Sequence, residues 1–279
     1  MHFIHLVVYF FYIIIKNFIV LLNMTFGFIG SGKITSSIVY GISKSKLKSS
    51  KIYISSRNRS IASHLSKKFK FVKVLKDNQE IINKSQIIFL AITPTVGNKI
   101  LGKLTFAKNK KIISFISTIN LTNLKKLTKS KNIVRAIPLP PIEIKKGPII
   151  ICPPNQNAKN FFNHLGKVIE VNNEKICNKF WSTSALMAPF YELLKVTIDW
   201  LSNKGVNRIS ATHYITELFL GLSQDAVNKK NKGLKQLVAE SQTPKGLNEQ
   251  ALKELKKLKF YSSLNKALNS IHARLSKTK

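Results

Sequence analysis

From Met24 onward, short β-branched apolar runs alternate with amphipathic stretches, the pattern of a parallel sheet covered by helices. The runs are Phe26–Ile29, Ile52–Ile54, Phe71–Leu75, Ile87–Ile92, Ile112–Ile116, Ile133–Ile137, Ile149–Ile151 and Val168–Val171. Helices fit between them, as at 58–68 and 121–130. Pro138, Pro140, Pro141, Pro148, Pro153 and Pro154 predict loops and edge strands for the later runs. After about residue 172 the strand pattern stops. Apolar residues then recur at intervals of three and four, which lay one stripe along each helix. Within Phe180–Lys204 they are Tyr191, Leu194, Ile198 and Leu201; within Arg208–Leu222 they are Ile215, Leu218, Phe219 and Leu222. Leu247, Ala251, Leu252, Leu255 and Leu258 repeat the spacing.

Before this pattern begins, Phe3–Ile15 is almost wholly apolar, and Phe18–Leu22 resumes the run after Lys16 and Asn17. Together they approach the length of a membrane span. A secretory leader would have a basic start and a small-residue cleavage site, and neither is seen. Asn23 alone separates this stretch from the first strand, so a membrane helix would have no linker to clear the bilayer. The expectation is that 1–23 is an apolar extension outside the fold, that Met24 is the working start, and that the protein is cytoplasmic.

The chain has 279 residues, 46 basic and 12 acidic, for a formal charge of +34, yet 44% of it is hydrophobic. That apolar share excludes a disordered polycation. Only Arg57, Arg59, Arg135, Arg208 and Arg274 are arginine; the other 41 cations are lysines spread along the chain. Nucleic-acid readers lean on arginine for bidentate contacts, so the expected surface is generic and solvated, with no nucleic-acid partner. The competing reading, a polycation-driven DNA binder, predicts steeply salt-dependent affinity. Either way anionic ligands are attracted. Cys152 and Cys177 are too few for a disulfide framework and read as small apolar residues. The six histidines show no ligand spacing, so no metal is expected.

Candidate chemistry begins at Gly27-Phe28-Ile29-Gly30-Ser31-Gly32-Lys33-Ile34-Thr35, which follows an apolar strand and opens a helix. This is the setting of a dinucleotide fingerprint. Gly30 allows the tight turn. Gly32 removes the Cβ that would keep a pyrophosphate from the helix N-terminus. Thr35 stands where a glycine or alanine usually permits close helix–strand packing. The expected fold is therefore α/β: a Rossmann-type doubly wound, mostly parallel sheet over 24–171, followed by an all-helical domain over 172–279. At the end of the second strand, Ser55-Ser56-Arg57-Asn58-Arg59 offers no carboxylate for the ribose hydroxyls of NAD. Ser56 and Arg57 suit a 2′-phosphate, which favours NADPH and leaves NADH possible. The plainer alternative is that Arg57 and Arg59 only start a helix in solvent.

Taken in order, these blocks resemble the pyrroline-5-carboxylate reductase family from Met24 to about Leu275. GFIGSGKI is similar to that family's GFIGxGxM, and SSRNRS to its second-strand cofactor loop. FLAITP, ending in Ala91, Ile92, Thr93 and Pro94, resembles the AVKP segment that lies along the cofactor near the nicotinamide. IISFISTI resembles a segment ending in Ala-Gly. VRAIPLPP resembles RxMPNxP, with Gly147-Pro148 just beyond. APFY stands where the family has GPAY, and ESQTPKGLNEQAL where it has a loop ending SPGGTT. Phe260–Arg274 is similar to the family's last amphipathic helix. The resemblance implies a reduction of 1-pyrroline-5-carboxylate to proline, a helical domain that dimerises, and a small imine held between the SPGGTT-like loop and the nicotinamide.

The departures fall mostly where the family's substrate sits. Thr93 replaces a lysine, Thr118 a glycine and Leu139 an asparagine. Met187 and Ala188 replace serine and glycine, while Lys245, Leu247 and Asn248 replace a glycine, an alanine or threonine, and a threonine. A different cyclic imine is therefore open as substrate. Hydride attack on a protonated C=N bond asks mainly for positioning. By resemblance, Asn248 is the catalytic candidate: it takes the place of a threonine whose hydroxyl contacts the ring nitrogen and can hydrogen-bond there, though its amide is no useful proton donor. Backbone N–H groups of Gly246, Leu247 and Asn248, at a helix start, suit a carboxylate. Glu249 either tunes that site or serves the helix dipole. Tyr191 and Lys195 lie one turn apart, but the GxxGxxxK spacing of the related hydroxyacid dehydrogenases is absent. Lys195 therefore reads as solvated and Tyr191 as core or interface, with a hydroxy-acid dehydrogenase kept as the second enzymatic reading.

Overall fold

A computed structural model describes residues 24–276 of the chain, so the apolar stretch before Met24 lies outside the described residues. Eight strands form one sheet: β1 (Thr25–Ile29), β2 (Lys51–Ser55), β3 (Val72–Leu75), β4 (Ile87–Leu90), β5 (Lys111–Ser114), β6 (Ile133–Ile137), β7 (Pro148–Cys152) and β8 (Lys167–Glu170). Their order is β3-β2-β1-β4-β5-β6-β7-β8. Every neighbouring pair is parallel except β6 and β7. This is the doubly wound, mostly parallel sheet that the apolar runs predict.

Alternation along the strands sends side chains to two helix-covered faces. Phe26, Phe28, Ile52, Ile54 and Phe89 pack with Ile38, Val39 and Ile42 of α1 (Lys33–Ser43) and with Ala62 and Leu65 of α2 (Arg59–Lys68). Ile29, Ile88, Leu90 and Ile112 pack with Ile82 of α3 (Asn78–Lys84), Leu101 beyond α4 (Pro94–Ile100), and Leu124 of α5 (Leu121–Thr128). Helix starts are set by asparagine and aspartate side chains that accept the otherwise orphaned first-turn N–H groups. Asn58 caps α2, Asp77 caps α3, Asn120 caps α5, and Asn155 caps α6 (Gln156–Phe162). On the first face Phe89 is central. Its ring lies 4.5 Å from Phe28 in a stacked pair, 4.9 Å from Phe161 and 5.7 Å from Phe115.

One expectation is corrected. The prolines do not reduce the later runs to loops and edges: β6 and β7 are interior, and the edges are β3 and β8. The reason is placement. Pro148 is the first residue of β7, where a ladder donor is not needed, while Pro138 and Pro153 stand just beyond strand ends. The prolines bracket the strands and do not interrupt them.

The first compact unit runs to Trp181 and takes in the end of the last helix from Arg274; the second is Ser182–Ala273. Helix α7 (Glu174–Ser184) precedes α8 (Met187–Asn203), α9 (Arg208–Asn228), α10 (Leu234–Glu240), α11 (Leu247–Lys257) and α12 (Phe260–Ser276). The stretch 180–204 divides at Ala185–Leu186 because of Pro189. It has no N–H for the Ala185 carbonyl and its ring crowds that oxygen, so the helix restarts with Pro189 in its first turn. Within the second unit, Ile198, Ala211 and Ile215 form a thin core with Leu194, Leu201 and Phe219.

Phe89→Ala is expected to lower the unfolding free energy by about 3–5 kcal/mol, since several rings lose their common neighbour. Urea denaturation followed by far-ultraviolet circular dichroism measures this, and a loss below about 1 kcal/mol would contradict the packing described.

Candidate functional site

The chain leaves β1 toward β2 on one side, and after β3 it crosses back to β4 on the other side of β1. In such a sheet a crevice opens beyond the carboxyl ends of the two strands that diverge. The residue placed there is Gly30. Its φ of +110° is one that only glycine adopts readily, and an added Cβ would lie 2.7 Å from the Ala91 carbonyl carbon. The Gly30 N–H donates to Ser55 Oγ at 2.9 Å. Thr35 Oγ1 donates to the Gly30 carbonyl at 2.8 Å, so the hydroxyl at the position usually given to glycine or alanine fastens helix to turn. One loop further out, the Asn58 N–H donates to Ser31 Oγ at 3.0 Å, and Asn58 Oδ1 accepts from the Ile61 N–H at 3.1 Å. Two hydrogen bonds thus tie the glycine turn to the last residue of β2 and to the loop after it.

Gly32 is the N-cap of α1, and no side chain caps that helix. A Cβ on Gly32 would meet no protein atom within 4 Å and would project into open space. The first-turn amides are therefore left to whatever enters the crevice, with the positive helix end behind them. Two clefts of about 470 and 570 Å³ adjoin there, sharing Gly30, Arg57 and Ile92. Lys76, Lys99 and Arg57 line the first, while Arg57 and Arg59 line the second. No carboxylate lines either cleft. Asp77, beside Lys76, lines neither cleft and accepts from the Gln79 N–H at 3.0 Å. The donor set, the uncapped helix and the open space over Gly32 fit a dinucleotide bearing an extra phosphate.

The residues named from sequence divide accordingly. Ile29, Gly30, Ser31, Gly32, Ser56, Arg57, Ala91, Ile92 and Thr93 line the clefts, and Pro94 opens α4 beside them. Gly27 and Phe28 do not reach the crevice. Both lie within β1: Phe28 is fully buried under Phe89, and the space a Gly27 Cβ would need is taken by Ser85 and Ile81. Lys33 and Ile34 occupy the first turn of α1 without lining a cleft. Sequence reasoning missed Lys76, Asn78, Val96 and Lys99 as cleft residues. The available signal was position: Lys76 follows β3 at the same sheet edge as the glycine turn.

In the second unit, Gly246 is the N-cap of α11, again without a side-chain cap, and Leu247 and Asn248 are exposed. Asn248 Nδ2 donates to the Ser241 carbonyl at 2.9 Å, which closes the 241–248 loop. Glu249 accepts from the Lys245 N–H at 2.7 Å and pairs with Lys253 at 2.6 Å. Those two contacts hold its carboxyl below the usual range, and the role they describe is that of a helix-start residue. Lys195 pairs with Asp199 at 3.0 Å, which pushes its ammonium up and keeps it charged; Tyr191 is exposed. Cys152 and Cys177 sit together in a small cluster with Ile137, Ile150 and Val171. Hydrogen bonding between the two thiols lowers Cys152 and, with burial, raises Cys177. Among the described residues no cluster of His, Cys, Asp and Glu could hold a metal, and no helix is long and apolar enough to cross a membrane.

Comparison with known proteins gives two family matches in chain order. Residues 25–120 match the family described as NADP oxidoreductase, coenzyme F420-dependent, and residues 181–278 match the pyrroline-5-carboxylate reductase dimerisation family. The pyrroline-5-carboxylate reductase of Synechocystis is 25% identical over 266 residues, covering 91% of this chain and 97% of that protein. The enzyme of that name from Pisum sativum is 23% identical, covering 88% and 93%. The fold is shared with Plasmodium falciparum pyrroline carboxylate reductase, solved with NADP bound, at a TM-score of 0.79 and 22% identity over 92% of this chain and 98% of that one.

Two substitutions separate the roles of the glycines. Gly32→Ala fills only open space, so unfolding free energy should change by less than about 1 kcal/mol, while NADPH affinity in a fluorescence titration should fall by about tenfold or more. Gly30→Ala should destabilise the fold itself by more than about 1 kcal/mol, because the added Cβ meets backbone and an unfavourable φ together.

Proposed function

The chain belongs to the pyrroline-5-carboxylate reductase family, and from that premise we propose that it is an NADPH-dependent reductase of a cyclic imine, with 1-pyrroline-5-carboxylate, reduced to proline, as the leading substrate. The observation that carries the reading is the cleft at the β1/β4 divergence: an uncapped helix start, open space over Gly32, and a wall of Arg57, Arg59, Lys76 and Lys99 without a carboxylate.

When bound, a reduced nicotinamide supplies a hydride to the C=N carbon, and the π pair moves onto the protonated nitrogen and cancels its charge. The residues of this chain then have positioning work to do. The amides at the start of α1 hold the pyrophosphate, and Gly30 and Gly32 let it approach the backbone. Ser56 and Arg57 take the 2′-phosphate, with Lys76 and Lys99 adding charge from across the cleft. Thr93 and Pro94 bound the nicotinamide end. Gly246, Leu247 and Asn248 present amides to the substrate carboxylate. The Asn248 Nδ2 gives one of its two hydrogens to Ser241, and its Oδ1 is the atom that can accept from the protonated imine's N–H. No general acid is required of a substrate that arrives protonated.

The helical unit supports self-association, as its family match implies. Its core is thin, while Trp200, Ile209 and Tyr214 are 58%, 68% and 63% exposed. A second copy covering such residues accounts for both facts.

Spectrophotometric assay of the full chain with NADPH, offering 1-pyrroline-5-carboxylate beside a panel of other cyclic imines and 2-hydroxy acids with NADP, tests the reaction. Turnover is expected with a cyclic imine, and silence on all of them sinks the proposal. Arg57→Asp should weaken NADPH binding by about tenfold to a hundredfold while altering NADH binding little, since one charge-assisted contact to the extra phosphate is lost.

A further inference from the structure

Arg135 is a buried cation that the clefts do not use. It lies in β6 and is 1% exposed. Its Nη1 donates to Glu174 Oε1 at 2.7 Å and to Asn178 Oδ1 at 3.3 Å, and its Nη2 donates to the Ser117 carbonyl at 2.6 Å. The guanidinium carbon stands 4.7 Å from the centre of the Trp181 ring, and Nε has no hydrogen-bond partner. Glu174 Oε1 also accepts from the Leu121 N–H at 2.9 Å. One guanidinium and one carboxylate therefore grip the two ends of the segment from Ser117 to Leu121. Well-packed apolar residues fill such a place at less cost than a buried ion pair, so stability alone does not explain it.

What the segment does is visible on its other side. A Cβ on Gly97 would lie 3.0 Å from both Ile116 Cδ1 and Ile119 Cδ1, which means that α4 is seated directly on these two side chains. Val96, Lys99 and Ile100 of the same helix line the first cleft. The contacts run in one line, from the Arg135–Glu174 pair to the 117–121 backbone, through Ile116 and Ile119 to Gly97, and so to the cleft wall.

We propose that Arg135 and Glu174 are positioning residues for the nucleotide cleft: they hold the segment on which α4 rests and so set the place of the cleft wall. This rests on the reading of the cleft as a pyridine-nucleotide site. The test uses the full chain, with NADPH affinity, KM for the imine and thermal unfolding measured side by side. Arg135→Met leaves Glu174 without its partner and should lower both melting temperature and NADPH affinity. In Arg135→Met/Glu174→Met no charge remains buried, so most of the stability returns, while the Kd for NADPH stays raised by about tenfold, a typical coupling between linked sites. Arg135→Lys cannot grip Glu174 and Ser117 together and should restore stability more than affinity. A double variant that binds NADPH as tightly as the wild type overturns the proposal. Hydrogen exchange in the wild type needs no variant to fold: NADPH should slow exchange in the 116–121 peptide, and an unchanged rate overturns it equally. If the wild type binds no NADPH, the nucleotide reading falls first and this inference with it.

Discussion

Three strand ends converge on one glycine. Gly30 directly follows β1, its N–H rests on a serine at the end of β2, and its α-carbon lies so near the residue after β4 that no side chain fits between them. Parallel sheets bring carboxyl ends together as a matter of topology, but they do not by themselves leave room for a ligand. Here the room exists because the chain turns sharply at Gly30 and because the next glycine leaves the start of α1 bare. A larger residue at the first position would push β1 and β4 apart, and a larger one at the second would fill the space a diphosphate needs. Fold and site share one steric requirement.

The two halves of the molecule answer different needs. The sheet unit carries an extensive two-sided core, anchored by Phe89 and its neighbouring rings, and it holds the ordered cleft. The helical unit buries little within one copy and leaves large apolar side chains in solvent. The proposed imine reduction suits such a division, since that reaction asks for placement of a hydride donor against an already activated carbon. The loop that resembles the family's SPGGTT segment departs from it at Lys245, Leu247 and Asn248. The asparagine's bond to Ser241 shows one function the new side chain has taken up, closure of the loop.

Much of this was legible in the chain because β-branched runs and glycine spacing are local signals. Each of the eight apolar runs became a strand, with ends shifted by a residue or two, and the turn at 30–32 lies at the crevice where its setting put it. Strand direction was not legible: nothing in Pro148–Cys152 says that it runs against β6, and its opening proline misled toward an edge. Lys76 and Lys99 were hidden by number, since 41 lysines dilute the meaning of any one. Gly27 belongs to the phosphate-turn pattern by spacing alone, because spacing cannot tell a glycine that faces a ligand from one that faces a helix. Arg135 is visible in the chain as the arginine of VRAIPLPP, and its place between Val134 and Ala136 in an otherwise apolar strand marks it as a buried cation, but not what it binds. Its partner lies 39 residues away and only the fold brings it near.

The loop after β2 has a further consequence for how this protein can change over evolutionary time. Ser55 and Asn58 are bound to the glycine turn, and Asn58 also starts a helix, so neither can be exchanged without disturbing the scaffold. Ser56, Arg57 and Arg59 stand outside those bonds. Drift between one nucleotide and its phosphorylated cousin therefore falls to these three positions and to Lys76 and Lys99 of the same cleft, inside a fixed frame, and a lineage could alter its choice of reductant there without refashioning the architecture that holds it.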